Sequence, residues 1–164
     1  MPATKRSRNT AKNGARARSV TGPTANEAAA FLQNLHTLKI GIAHQASPIL
    51  ERECDLDLRL CVILHTVAEG KVHPSEIAQT CCLPNSLISK HLDQLEKKGL
   101  ISRSLDPKDT RRIRLTLTRD GKRVTRELTP IFTSLVGERL SRIPAARRKV
   151  FLAVLAELAD AYQP

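Results

Sequence analysis

The chain has 164 residues, enough for one compact domain or a small domain with helical extensions. Hydrophobic residues make up 41% and aromatics only 2%, with no tryptophan, so the core must be Leu, Ile, Val and Ala. That favours packed helices over a β-sandwich and excludes the aromatic platform on which single-stranded nucleic acid stacks, while a net charge of +11 points to a polyanionic partner.

Residues 1–25 carry Lys5, Arg6, Arg8, Lys12, Arg16 and Arg18, no acid and little to bury. They read as a disordered basic tail that neutralises phosphates without reading sequence. A long helical pattern follows from Asn26, with Phe31, Leu35, Leu38, Ile42, Ala46 and Ile49 at three- and four-residue steps. Pro48 inside it predicts a kink or break near Ser47. Residues 58–67 are apolar nearly all round, so that helix should be buried on most sides. Val72 is expected to add a short strand beside a later hairpin, and Pro74 suits the first turn of the next helix.

The reading module then takes shape. Residues 77–83 look like the end of a short helix and a tight turn. Residues 84–98 read as a second helix, with Ile88, Leu92 and Leu95 as one buried stripe and Gly99 as its stop. Residues 101–105 form a first strand, and 112–117 alternate polar with apolar as a second. The loop between them, Asp106 to Arg111, is polar, turn-forming and positive at its C-terminal edge. Thr118 is a good N-cap, with Asp120 favourable in the first turn. The helical pattern of Val124, Leu128, Ile131, Leu135 and Leu140 should bend or stop at Pro130. Pro144 restarts a last helix, with Phe151, Val154, Leu155, Leu158 and Tyr162 on one face.

The fold class is therefore mainly α with a small β wing (α+β). A winged helix–turn–helix at 58–118 is flanked by helical regions at 26–57 and 119–164. The outer helices show more apolar surface than a small winged helix can cover, and a second copy of the chain is the simplest cover.

In this order of parts the chain resembles the MarR family of bacterial transcription regulators, over roughly residues 31–158. Asp106-Pro107-Lys108-Asp109-Thr110-Arg111, followed by Leu117-Thr118-Arg119-Asp120-Gly121, is similar to the family's wing signature. That signature has an Asp-x-Arg at the tip and Leu-Thr-x-x-Gly opening the next helix. The stretch from Leu92 to Ile101 is similar to the family's exit from recognition helix into wing. The resemblance implies a homodimer with interleaved terminal helices at 26–57 and 119–164, each subunit placing one recognition helix in a major groove. Three positions depart from the pattern: Cys82 stands where the turn usually has glycine, Pro84 where a capping serine is frequent, and Leu87 where threonine is frequent.

Asn85, Ser86, Leu87, Ser89 and Lys90 lie on the first turns of the recognition helix, off the apolar stripe, where such helices reach base edges. Asn suits adenine, Lys suits guanine or phosphate, Ser either, and Leu87 can pack on a thymine methyl. Lys108, Arg111 and Arg112 cluster at the hairpin tip, where a guanidinium suits a minor groove. The resemblance implies that Asp109 orients Arg111 by a charge-assisted bond.

Cys54, Cys61, Cys81 and Cys82 fit neither a disulfide framework nor a zinc spacing. They read as reduced, mostly buried thiols, with Cys81 and Cys82 as the candidates should a thiol sense oxidation. His65 lies four residues after Cys61 and reads as a hydrogen-bonded core histidine. His44, Arg59 and His65 are also candidates for a small-molecule effector cavity at the place the family resemblance implies.

No nucleophile elbow, phosphate-cradling loop, catalytic carboxylate pair or metal quartet is present, so no enzyme, cofactor or metal is expected. No segment reaches the length of a membrane span, and the N-terminus lacks a secretory apolar region, so a cytoplasmic protein is expected. The expected function is that of a sequence-specific regulator of double-stranded DNA, a signal-responsive repressor acting as a homodimer on an inverted repeat. The alternatives are a thiol-based redox regulator and a sequence-neutral architectural DNA-binding protein.

Overall fold

The computed structural model describes residues 22–161. The disorder expected of the basic tail falls outside them for residues 1–21, as does Tyr162. Two compact units divide between Leu35 and His36. Up to Leu35 the described chain is the first part of α1 (Ala25–Cys54). Its start is a capping box: the Thr24 hydroxyl accepts from the Glu27 N–H at 3.2 Å, and the Glu27 carboxylate accepts from the Thr24 N–H at 2.7 Å. Phe31, Leu32 and Leu35 are all exposed there.

The second unit holds the rest of α1, then α2 (Leu58–Ala68), α3 (Pro74–Cys81), α4 (Asn85–Lys97), β1 (Ile101–Leu105), β2 (Ile113–Leu117), α5 (Arg119–Ser141) and α6 (Ala145–Asp160). The strands form one antiparallel hairpin, in register from Ile101 opposite Leu117 to Leu105 opposite Ile113. Its root is buried through Ile101 and Leu115, whereas Leu105 and Ile113 farther out are exposed. A single core joins Leu50 of α1, Leu56 of the connection that follows it, Ile63 and Leu64 of α2, Ile77 of α3, Ile88, Leu92 and Leu95 of α4, and Val124 and Leu128 of α5. The apolar stripe predicted for the recognition helix is thus the surface that fixes α4 to the body of the domain.

Helix ends follow local chemistry. Asp57 caps α2 by accepting from the Leu60 N–H at 2.8 Å. Gly99, with φ +69°, lets the chain leave α4 in a left-handed turn, closed by Leu100 N–H donating to the Leu95 carbonyl at 2.9 Å. The Thr118 hydroxyl accepts from the Gly121 N–H at 3.0 Å to open α5.

The two internal prolines do not interrupt their helices: α1 runs unbroken past Pro48 and α5 past Pro130. A proline withdraws one N–H from the ladder, and both prolines are exposed, where water can satisfy the freed carbonyl. Beside Pro48, the Ser47 hydroxyl donates to the Ala43 carbonyl at 2.9 Å. The recognition helix begins at Asn85, with Pro84 as its N-cap residue, and the second strand begins at Ile113, one residue after the predicted start. Val72 is not a strand. It contributes one backbone bond, its carbonyl accepting from Leu115 N–H at 2.8 Å.

The turn from α3 to α4 carries a local cost. Cys82 has φ 51° and ψ 42°, the left-handed conformation that a Cβ disfavours. Its N–H caps α3, and Leu83 N–H closes the turn on the Ala78 carbonyl at 3.0 Å. Cys82→Gly is expected to raise stability by about 1 kcal/mol, the relief of the left-handed side chain less the entropy of glycine. Urea melting checks this; an unchanged or lower midpoint would show that the thiol's contact with the Gln79 carbonyl, at 3.7 Å, outweighs the strain.

Candidate nucleic-acid interface

The first turns of α4 present Asn85, Ser86, Ser89 and Lys90 to solvent. The buried stripe of Ile88, His91, Leu92 and Leu95 lies on the other side of the helix. Leu87 is half-buried, so only an edge of its side chain is open to solvent. Ser89 donates its hydroxyl to the Asn85 carbonyl at 3.0 Å. Pro84 provides no side-chain cap; its carbonyl instead accepts from the Leu87 and Ile88 N–H groups at 3.0 and 3.1 Å, and the helix start carries a partial positive charge. His91 was missing from the sequence-derived stripe. Its Nδ1 meets the Gln94 side-chain oxygen at 3.1 Å, while its Nε2 is buried without a hydrogen-bond partner.

At the wing tip Lys108, Asp109 and Arg111 are exposed. Asp109 does not hold the Arg111 guanidinium. Its Oδ1 accepts from the Arg111 backbone N–H at 3.1 Å, and its carbonyl accepts from Arg112 N–H at 2.9 Å. The carboxylate therefore sets the turn that presents Arg111, by the short-range bonding typical of aspartate in turns, and leaves the guanidinium free to reach outward. Arg112 is not a tip residue in the same sense. It folds back toward α3, 3.7 Å from Glu76, and lines a cleft of about 290 Å³ with Asn85, Ser89, His73 and Ile113. That cleft joins recognition helix and wing into one surface.

A residue absent from the sequence-derived set anchors this wing. Asp106 is only 5% exposed. Its Oδ1 accepts from Lys108 N–H at 2.8 Å, and its Oδ2 lies 3.3 Å from His73 Nε2 and 3.5 Å from Arg114. The Lys108 N–H bond, with a further backbone bond at Asp109 and the charges of His73 and Arg114, holds its carboxyl below the usual carboxylate range against the opposing effect of burial. The only sequence signal was an aspartate followed by proline at a strand end, which reads as a turn residue.

The effector candidates separate. His65 is not a core histidine: its side chain is 59% exposed and pairs with Glu69 at 3.2 Å across one helical turn. The helix periodicity puts it on the outer side of α2 with Arg59 and Val62, while Cys61 faces the core. His65 and Glu69 line a cleft of about 520 Å³ with Arg119, Lys122, Arg126 and Thr129 of α5. They also line a neighbouring cleft of about 450 Å³ with Cys61, Phe132 and Thr133. His44 and Arg59 line neither. The cations of α5 were not among the residues singled out from sequence, because on a helix of mixed charge they look like an ordinary solvated face.

The cysteines are free and differently placed: Cys61 buried, Cys54 and Cys81 half-buried, Cys82 exposed. Burial pushes the Cys61 thiol up to about 12 and raises Cys54 as well, with Glu127 adding to the effect there. Both are poor nucleophiles as a result. Cys81 lies 3.8 Å from the Thr66 hydroxyl. Among the described residues no helix is long and apolar enough to cross a membrane, and no group of metal-ligating side chains is assembled.

Residues 61–113, from α2 to the start of β2, match the model of the MarR family. The chain is 30% identical over 91 residues to the uncharacterized HTH-type transcriptional regulator YwhA of Bacillus subtilis, a match covering 56% of this chain and 66% of that relative. The chain thus spans about two thirds of that relative's length. Among solved structures, the fold is similar to the transcriptional regulator BldR of Sulfolobus solfataricus, with a TM-score of 0.73 and 23% identity over 85% of this chain and 99% of that one. It is also similar to the MepR–DNA complex of S. aureus, with a TM-score of 0.68 and 22% identity over 81% of this chain and 98% of that one.

Proposed function

The chain is a member of the MarR family of winged-helix proteins, and from that premise we propose that it is a sequence-specific transcription regulator of duplex DNA, a homodimeric repressor that leaves its operator on a signal. One observation carries this reading. The polar first turns of α4 and the cationic wing tip are exposed on elements whose other faces are locked into the core, which is a rigid, positive, donor-rich surface. DNA is the partner in the MepR complex, and the same chemistry suits this surface.

Dimerisation is supported by the outer helices. No residue of α6 is buried, although Val150, Phe151, Leu152, Val154, Leu155 and Leu158 are all large and apolar. A helix with that content holds its place by covering the apolar side against another surface. The cationic cleft beside His65 is the proposed seat of an effector with an acidic group, since Arg119, Lys122 and Arg126 supply charge and Leu117 and Ala68 supply apolar walls.

The test is recovery of the preferred sequence from a random duplex pool, with sedimentation of the free protein. The expected result is a dimer and an inverted repeat with half-site centres about 34–36 Å apart, bound roughly a thousandfold or more above random duplex. A monomer at micromolar concentration, or a site without a dyad, overturns the dimeric reading. Equal affinity for all sequences would make the protein an architectural binder instead.

A further inference from the structure

Of the ion pairs between described residues, His73–Asp106 is the one with both side chains nearly out of water, 11% and 7% exposed. His73 sits at the N-terminus of α3, yet its ring spans to both ends of the wing loop. Nδ1 lies 3.0 Å from the carbonyl oxygen of Ile113, where β2 begins, and Nε2 lies 3.3 Å from Oδ2 of Asp106, just past the end of β1.

Both partners are acceptors. A carbonyl oxygen has no proton to give, and the Asp106 carboxyl is held ionised by the bonds already described. A neutral imidazole has one N–H and can serve only one of the two; the imidazolium has two and serves both. Charged groups of both signs surround the ring. On α3, Glu76 accepts from the His73 backbone N–H at 3.3 Å and pairs with Arg112 of the wing loop. On β2, Arg114 shares Asp106 Oδ2. From α4, the side chains lining the shared cleft are Asn85 and Ser89, which carry no charge.

We propose that protonated His73 is a positioning residue for DNA reading, a clasp that fixes the wing against α3 and so couples operator affinity to one proton. The inference rests on the proposed DNA-binding reading. Rotating the hairpin away from α3 breaks both ring bonds, and removing one ring proton releases one of them. The clasp is complete while Asp106 is ionised, which its lowered pKa extends below the ordinary carboxylate range, and while both ring nitrogens carry protons. With one ring proton missing the wing is held less firmly, and Arg111 at its tip loses its aim.

The experiment measures affinity of the full chain for its selected operator at constant ionic strength from about pH 5.5 to about pH 8, the range in which histidine switches charge. The wild-type chain is expected to bind about tenfold less tightly at the alkaline end, the size of one charge-assisted hydrogen bond. His36, His44, His65 and His91 remain in every variant, so the signal is the difference between profiles. His73→Gln and Asp106→Asn should both be weaker at the acid end and lose most of the slope. Profiles of wild type and His73→Gln that superimpose overturn the proposal. Nitrogen NMR of the wild-type ring decides it without DNA and without a variant: both ring nitrogens of His73 should carry protons near pH 5.5, and a single-proton tautomer there overturns the clasp. A chain that prefers no duplex sequence at any pH refutes the functional reading instead, and the ring measurement still stands.

Discussion

Replacing Gly121 with alanine is expected to destabilise the winged helix by about 3 kcal/mol or more, a large share of the roughly 5–15 kcal/mol that holds a domain folded. A Cβ at this position would stand 1.9 Å from the Leu100 carbonyl oxygen and 3.0 Å from its carbonyl carbon. The obstacle is backbone, and it cannot swing aside like the end of a long side chain. Leu100 is also engaged: its carbonyl accepts from Thr118 N–H at 3.1 Å and from the Thr118 hydroxyl at 3.2 Å, while that hydroxyl reaches the Gly99 carbonyl at 2.6 Å. To admit the methyl group, the first turn of α5 must withdraw from the root of β1 and give up those bonds. Gly137→Ala, in the same helix with nothing within 4 Å of the added atom, is the control. It should stabilise by up to about 1 kcal/mol through helix propensity. Urea melts of the two variants beside wild type make the comparison; a Gly121→Ala midpoint equal to wild type would sink the close-approach argument.

Asn85→Ala and Arg111→Ala should both weaken operator binding, in distinguishable ways. Asn85 is exposed on the first turn of a helix whose buried stripe fixes its direction, so its amide is aimed by the core. Its loss should remove roughly 1–3 kcal/mol on the true operator and relax preference at one base pair in each half-site. Arg111 projects from a turn set by Asp109, and a minor groove offers mainly width and negative potential to a guanidinium. Arg111→Ala should therefore weaken binding across many sequences, most where the flanks are A·T-rich. Asp109→Ala should be milder, because it loosens the turn and leaves the charge in place. Affinities across a panel of single-base operator mutants separate the cases. If Asn85→Ala leaves every preference intact while Arg111→Ala alters the half-site core, the two reading elements have been assigned the wrong way round.

What the sequence by itself determined was the order of the elements and most of their ends, which are decided within a few residues. The period of Ile88, Leu92 and Leu95 placed the buried face of α4, the glycine at 99 stopped it, and the alternation up to Leu117 with Thr118 behind it marked a strand and then a helix start. These features depend on helical and strand repeats and on capping, which act over one or two turns of chain, and they also carry the family resemblance. The tertiary structure decided what those elements meet. His65 has an apolar neighbourhood in sequence but falls on the outer side of α2. Pro48 and Pro130 looked like breaks, yet each lies on an exposed side of its helix, where one missing N–H is tolerated. The Leu-Thr-x-x-Gly pattern was visible as a string, but its reason, a helix resting on the Leu100 carbonyl, appears only once α5 is packed against the hairpin root. His73 and Asp106 are 33 positions apart, and neither stands out among polar residues. Their pairing depends on α3 and the wing being brought together by the core, a long-range event of which no local period carries a trace.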